Sequence, residues 1–343
     1  MHLSGISLSG APVLVLALAW LTTLAQATTT TFYMSPAGND SASGTSASTA
    51  LKTLKGVHAK VAASKPRDAI NVVIAEGTYT GQSVSWSYFN GQAITFSPPS
   101  SSSSKPIFDG QGTGLTWFTV YDSPTMTNLR FVNLTVTNYW LGLDLGKGGQ
   151  GQNKNGGNEV RGMLFERVGA FYTHNLPDPK GYAALRLRGS SNNTIVGNRF
   201  HGVKNPSSAP ADSQNVTDFT GYIHAIYLAH GSRANLIRGN EFNQVTGDAV
   251  RTRDGSGENV IEGNRFVAAG KYSAYSDWID DEEGDEECPS WNNRFTDNVV
   301  GQGYFGPFKD GYVTHVYGPD DRCSPTPGSV PPPRIIESGT VMA

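Results

Sequence analysis

An eight-residue motif, Asn-x-Ile-x-x-Asn-x-Phe, returns three times between residues 193 and 266. It reads Asn193, Ile195, Asn198, Phe200, then Asn235, Ile237, Asn240, Phe242, then Asn259, Ile261, Asn264, Phe266. A fourth copy runs Asn293, Phe295, Asn298, Val300. An earlier one, Asn158, Val160, Met163, Phe165, keeps the apolar positions and loses the second asparagine. Successive copies begin 35, 42, 24 and 34 residues apart. A unit as short as 24 residues cannot bury its own apolar face, so stacked copies must share one core. Alternation turns the Ile and Phe positions inward, and recurring asparagines can stack into a hydrogen-bonded ladder at a turn. The pattern predicts a parallel β-solenoid. A β-sandwich would need two-residue Asn-Gly or Asp-Gly hairpin turns at short intervals, whereas these runs recur in one sense along the chain.

These coils resemble those of the pectin-lyase-like superfamily. The N-terminal segment FYMSPAGNDSASGTSASTALKTLKGV, followed by NVVIAEGTYTG, is similar to that superfamily's opening. There a Ser-Pro-x-Gly-x-Asp turn leads into a Lys-Thr-Leu helix and a first strand ending in Gly-Thr-Tyr. The resemblance spans residues 32–317 and implies an all-β, single-stranded, right-handed parallel β-helix. The helix pattern around Leu51 to Ala62 would cap its open N-terminal end. The architecture carries lyases, hydrolases, epimerases and adhesins, so it does not choose a reaction. The polygalacturonase set of paired aspartates with Gly-His-Gly is not found, and DWIDDEE only faintly echoes the Trp-Ile-Asp-His strand of the pectate lyases.

The chain opens with an apolar run, Ala11 to Trp20, and a small-residue stretch, Ala25-Gln26-Ala27, the pattern of a secretory signal over residues 1–27. Its first residues lack Lys and Arg. A secreted, extracellular protein is expected, with the β-helix over 28–323 and an extended Pro-rich tail over 324–343. Asn39, Asn133, Asn192 and Asn215 head Asn-x-Ser/Thr acceptor sites for glycosylation. Cys288 and Cys323, the two cysteines of the chain, read as one disulfide of an oxidising compartment. No second long apolar stretch follows, so no membrane span is expected. A net charge of -3 with no extended basic run argues against nucleic acid as partner. A monomer acting on a polysaccharide is the expected state.

Stacking the strand before each motif gives the candidate site. With Leu185, Ile226, Val250 and Ile279 as one inward column, Leu187, Leu228 and Thr252 form the next. Three outward columns follow. The first holds Ala183, His224, Asp248 and Asp277, the second Arg186, Tyr227, Arg251 and Asp280, the third Arg188, Ala229, Arg253 and Glu282. Coils about 4.8 Å apart gather these into a patch of roughly one or two sugar rings. Insertions at 172–180, 203–220 and 270–290 should rise on one side as a groove wall carrying Tyr172, His174, Tyr222, Lys271, Tyr272 and Tyr275. Outward Arg beside Asp is also an ordinary cross-strand ladder. Asp254-Gly255-Ser256 reads as a turn.

Three functions compete. A lyase acting on a uronate polysaccharide by β-elimination needs a cation on the sugar carboxylate, a base and an acid. Arg251 and Arg253 suit the first role and His224, Tyr227 or Lys271 the others, with Arg186, Arg188, Tyr222 and Tyr275 binding substrate. A glycoside hydrolase would use Asp248, Asp277 and Asp280. A glycan-binding cell-wall protein would hold the chain uncut. The acidic run 277–288 reads as a solvated loop, with a Ca2+ site through Asp280 as the alternative and no other cofactor indicated.

Overall fold

The computed structural model describes residues 28–121, 123–146, 155–174, 176, 180–207, 218–280, 287–308, 311–319, 323 and 330–343. The signal-like run 1–27 lies outside them, as do Asn215, Glu282 and most of the Pro-rich run. Among the described residues the strands form three sheets of ten, eight and nine members, with neighbours paired in parallel. Each coil gives one strand to each sheet. Leu236–Arg238, Glu241–Val245 and Val250–Arg253 make up the shortest, and Val260–Glu262 begins the next directly beneath Leu236–Arg238. The result is a parallel β-helix.

The repeat explains the stacking. Asn158, Asn193, Asn235, Asn259 and Asn293 form one buried ladder, each carboxamide Nδ2 donating to the next Oδ1 at 2.7–3.0 Å. Asn198, Asn240, Asn264 and Asn298 form a second, at 2.9–3.1 Å. The same Oδ1 atoms take the backbone N–H of the preceding coil, so a turn that would bury unpaired amides has partners for them. The corner before the second ladder needs a left-handed residue, which is Gly197, Gly239 and Gly263 in successive coils and Asp297 in the last. In the strands that follow the second ladder, Phe165, Phe200, Phe242 and Phe266 stack with ring centres 5.1, 5.2 and 4.8 Å apart.

The helix forms over Leu54–Ser64, where Thr53 caps it by accepting from the Gly56 N–H. Leu54, Val57 and Val61 bury against the strands Thr29–Met34 and Val84–Trp86, which cover the first coil's edge as expected. The other end departs from expectation. The coil does not stop at residue 323: Ile335–Ser338 pairs with Asn293–Thr296, and Val341–Met342 with Val299–Val300. Past the proline run, Ile335, Ile336 and Val341 are β-branched residues that suit a strand, and Arg334 is buried against the coil above. The disulfide Cys288–Cys323 is formed across 35 residues. Asn39, Asn133 and Asn192 are exposed.

Candidate active site

The eight-stranded sheet carries the site. In each of its central strands a small residue and the one after it both enter the core: Ala184 and Leu185, Ala225 and Ile226, Ala249 and Val250, Ala274 and Tyr275. This fixes the register as Leu185, Ile226, Val250, Tyr275, not Ile279. The shift corrects two sequence expectations. Tyr275 is a core residue with no exposure, its hydroxyl bonded to Thr252 at 3.0 Å. Asp277 stacks beneath Thr252, inside the coil, where Arg334 Nε meets its carboxylate at 2.6 Å and Thr252 donates to it at 2.6 Å. Neither reaches the surface. Trp278, absent from the expected columns, takes the outward place beneath Arg253.

An open cleft of about 460 Å³ lies on this face. His224, Tyr227, Arg251, Arg253, Lys271, Tyr222 and Asp280 all line it, together with Lys180, Tyr182, Asp218, Gly221, Tyr272 and Trp278. Asp248 sits behind the lining with no exposure. Its Oδ1 accepts from the Tyr272 and Ser273 N–H groups at 2.9 and 3.1 Å, and its Oδ2 from Arg251 at 2.8 Å. Burial would raise this carboxyl, but the Arg251 guanidinium, helped by the Ser273 N–H, outweighs it and holds Asp248 below the usual carboxylate range. Asp248 is therefore a fixed anion that positions Arg251.

His224 is buried, its ring 5.3 Å from that of Tyr227. Its Nδ1 lies 2.7 Å from the Asp248 carbonyl oxygen. A carbonyl only accepts, so Nδ1 carries the proton. Burial, and secondly Arg251, push the imidazole below its ordinary range, so the ring is neutral and Nε2 keeps a lone pair.

Arg251 donates through Nε to Ser276 and through Nη2 to Asp248, and lies 4.9 Å from the Trp278 ring centre. Arg253 donates through Nε to Glu287 and through Nη2 to Asp280. Both guanidinium groups thus spend the same two edges on the protein, and neither Nη1 is bonded to a described residue. Lys271 pairs with Asp218 at 2.8 Å and Lys180 lies 5.1 Å from the Tyr222 ring centre. Such a cleft can hold an anionic group beside a neutral proton acceptor.

Arg186 and Arg188, expected to bind substrate, do not line the cleft. Both turn to Asp144 one coil earlier, Arg186 with two bonds of 3.0 and 2.8 Å and Arg188 with one of 2.8 Å. Tyr172 and His174 are also outside the lining; Tyr172 packs under Arg167. Asp280 ends in the Arg253 ion pair. Among the described residues no three His, Cys, Asp or Glu side chains gather as a metal site would require, and residues 281–286 of the acidic run lie outside that set. Lys180, Tyr182 and Asp218 escaped sequence reasoning because they stand at the ends of insertions, which have no repeat to align them.

The crystal structure of an alginate lyase from Paenibacillus sp. strain FPU-7 is similar over 91% of this chain and 98% of that one, with 14% identity and a TM-score of 0.52. The likeness is one of fold, the parallel β-helix. A looser likeness is to pectate lyase Pel9A, at 12% identity over 92% of this chain and 79% of that one, TM-score 0.48. The catalytic domain of a GH87 α-1,3-glucanase aligns at 14% identity over 87% of this chain and 44% of its own, TM-score 0.47. No family model and no curated protein sequence matches the chain.

Proposed function

We propose that the chain is a secreted, monomeric enzyme on a right-handed coil that cleaves a uronate-containing polysaccharide by β-elimination. The observation that carries this reading is the neutral His224, its Nδ1 tied to the Asp248 carbonyl, beside two arginines with open Nη1 edges. Elimination removes the proton α to the uronate carboxylate, and the carboxylate must be neutralised for that proton to become acidic. Arg251 and Arg253 would bind the carboxylate. His224 Nε2 would take the proton; the electron pair forms the new carbon–carbon double bond, and the bond to the leaving glycosidic oxygen breaks. Tyr227, stacked on His224, would return a proton to that oxygen, with Lys271 the other donor in the cleft.

A hydrolase is the second reading, supported by the two carboxylates that line the cleft, Asp218 and Asp280. The Asp248 and Asp277 pair has no place in it, because both are buried and held by arginines. One experiment separates these readings. The protein is incubated with pectate, alginate, glucuronan, glycosaminoglycan and neutral glucan while reducing ends and the ultraviolet absorbance of unsaturated sugar are followed. Absorbance rising with reducing ends is the expected result on a uronate polymer, unchanged by a chelator. Reducing ends without absorbance would replace the lyase with the hydrolase, and binding without cleavage would leave a glycan-binding module.

A further inference from the structure

Beyond the cleft the same outward columns continue with different chemistry. Arg251 is followed by Ser276 and then His315, and Arg253 by Trp278 and then Tyr317. The strand Thr314–Tyr317 is thus the coil after the cleft, and it presents rings where the earlier coils present guanidinium groups. These rings touch in sequence. Tyr317 lies 4.7 Å from Trp278 and 5.9 Å from Tyr272, both in the cleft lining. His315 stacks on Tyr317 at 4.0 Å, and Tyr312 meets His315 at 5.9 Å. The outermost ring, Tyr312, is 61% exposed. Among the described residues no ion pair joins two side chains of this stretch, in contrast to the four that frame the cleft.

We propose that Trp278, Tyr317, His315 and Tyr312 form an aromatic track that binds the pyranose units next to the reacting one, running along the solenoid axis toward the C-terminal coil. The inference rests on the polysaccharide reading of the cleft and adds where the chain leaves it. Two observations favour a glycan over another occupant. The track is continuous with the cleft, and coils repeat every ~4.8 Å, close to the length of one sugar unit in an extended chain. The exposed Tyr312 ring, held out by the rings beneath it, also suits the C–H face of a pyranose, which gains by leaving water without needing a charge partner. The arginines would then read one carboxylate, and the rings would hold its neighbours by shape.

The test uses the full chain and Tyr312→Ala and His315→Ala variants, with oligogalacturonates and oligoalginates from dimer to octamer. Affinity is read from quenching of tryptophan fluorescence, so it does not depend on turnover. The expected result is that the unaltered protein binds the longer oligomers more tightly than the dimer, and each variant weakens the longer ones by about threefold to tenfold, leaving the dimer unchanged. Tyr312→Phe should restore the loss, because the ring is kept. Equal weakening at every length, or no gain with length in the unaltered protein, would overturn the track. Loss of unsaturated product in the cleavage assay with length-dependent binding intact would overturn the lyase reading alone.

Discussion

His224 shows how one side chain can be tuned by what lies behind it. Burial first, and Arg251 second, keep its imidazole below the ordinary range, while the Asp248 carbonyl fixes which nitrogen bears the proton. If Nε2 is the base, the acid limb of kcat/KM must fall below the pH at which an ordinary histidine titrates, and His224→Ala should lower kcat by roughly 10²- to 10⁴-fold. An acid limb near pH 6.5, the ordinary value, would argue against it. The sign for stability is the same. The unfolded chain takes a proton in acid that the folded ring refuses, so this contribution is present above that ordinary value and lost as pH falls below it. His224, Tyr227, Arg251 and Arg253 were legible as neighbours because they sit in strands whose spacing the asparagines fix. Arg251's bond to Asp248 was not, because it joins residues three apart across the corner that begins its strand.

At the scale of strands, one misplaced element accounts for the main error of sequence reasoning. Ile279 is the more apolar residue, and Tyr275 looked like a surface ring. The better marker was the small residue before each inward position, as in Ala225-Ile226 and Ala249-Val250, which recurs at Ala274-Tyr275. Residues 275 and 279 share one parity, so alternation could not choose between them, yet only the register through Tyr275 turns Asp277 inward beneath Thr252. That register changes what Asp277 is for. Inside the coil it binds Arg334 and so ties the final strands to the coil above. Asp277→Asn should therefore cost roughly 3–5 kcal/mol of stability, since it leaves a buried guanidinium without its counter-ion. Turnover measured well below the melting temperature should be little changed. A variant that melts normally and has lost activity would return Asp277 to the chemistry.

For the whole molecule, the asparagine spacing was enough to announce a coil, and the cap and the three sheets follow it. The disulfide Cys288–Cys323 was also legible; what sequence could not supply was the closure of the far end by the strands Ile335–Ser338 and Val341–Met342. The disulfide closes a 35-residue segment, for which chain entropy suggests roughly 3–4 kcal/mol. Replacing both cysteines with serine should lower the melting temperature by several degrees, roughly what that energy implies for a domain of this size. Activity should fall more than stability alone explains, because Glu287, the neighbour of Cys288, holds Arg253 in the cleft. An unchanged melting temperature would remove the disulfide from this account.

The two asparagine ladders have a consequence for how such a protein can change over time. A rung is satisfied by the rung above and below it, whether 24 or 42 residues of chain lie between them. Length can therefore be added or removed between coils without disturbing the hydrogen bonds that hold them together. Mutation is free to rewrite the walls of the cleft while the spine that folds the molecule stays constant.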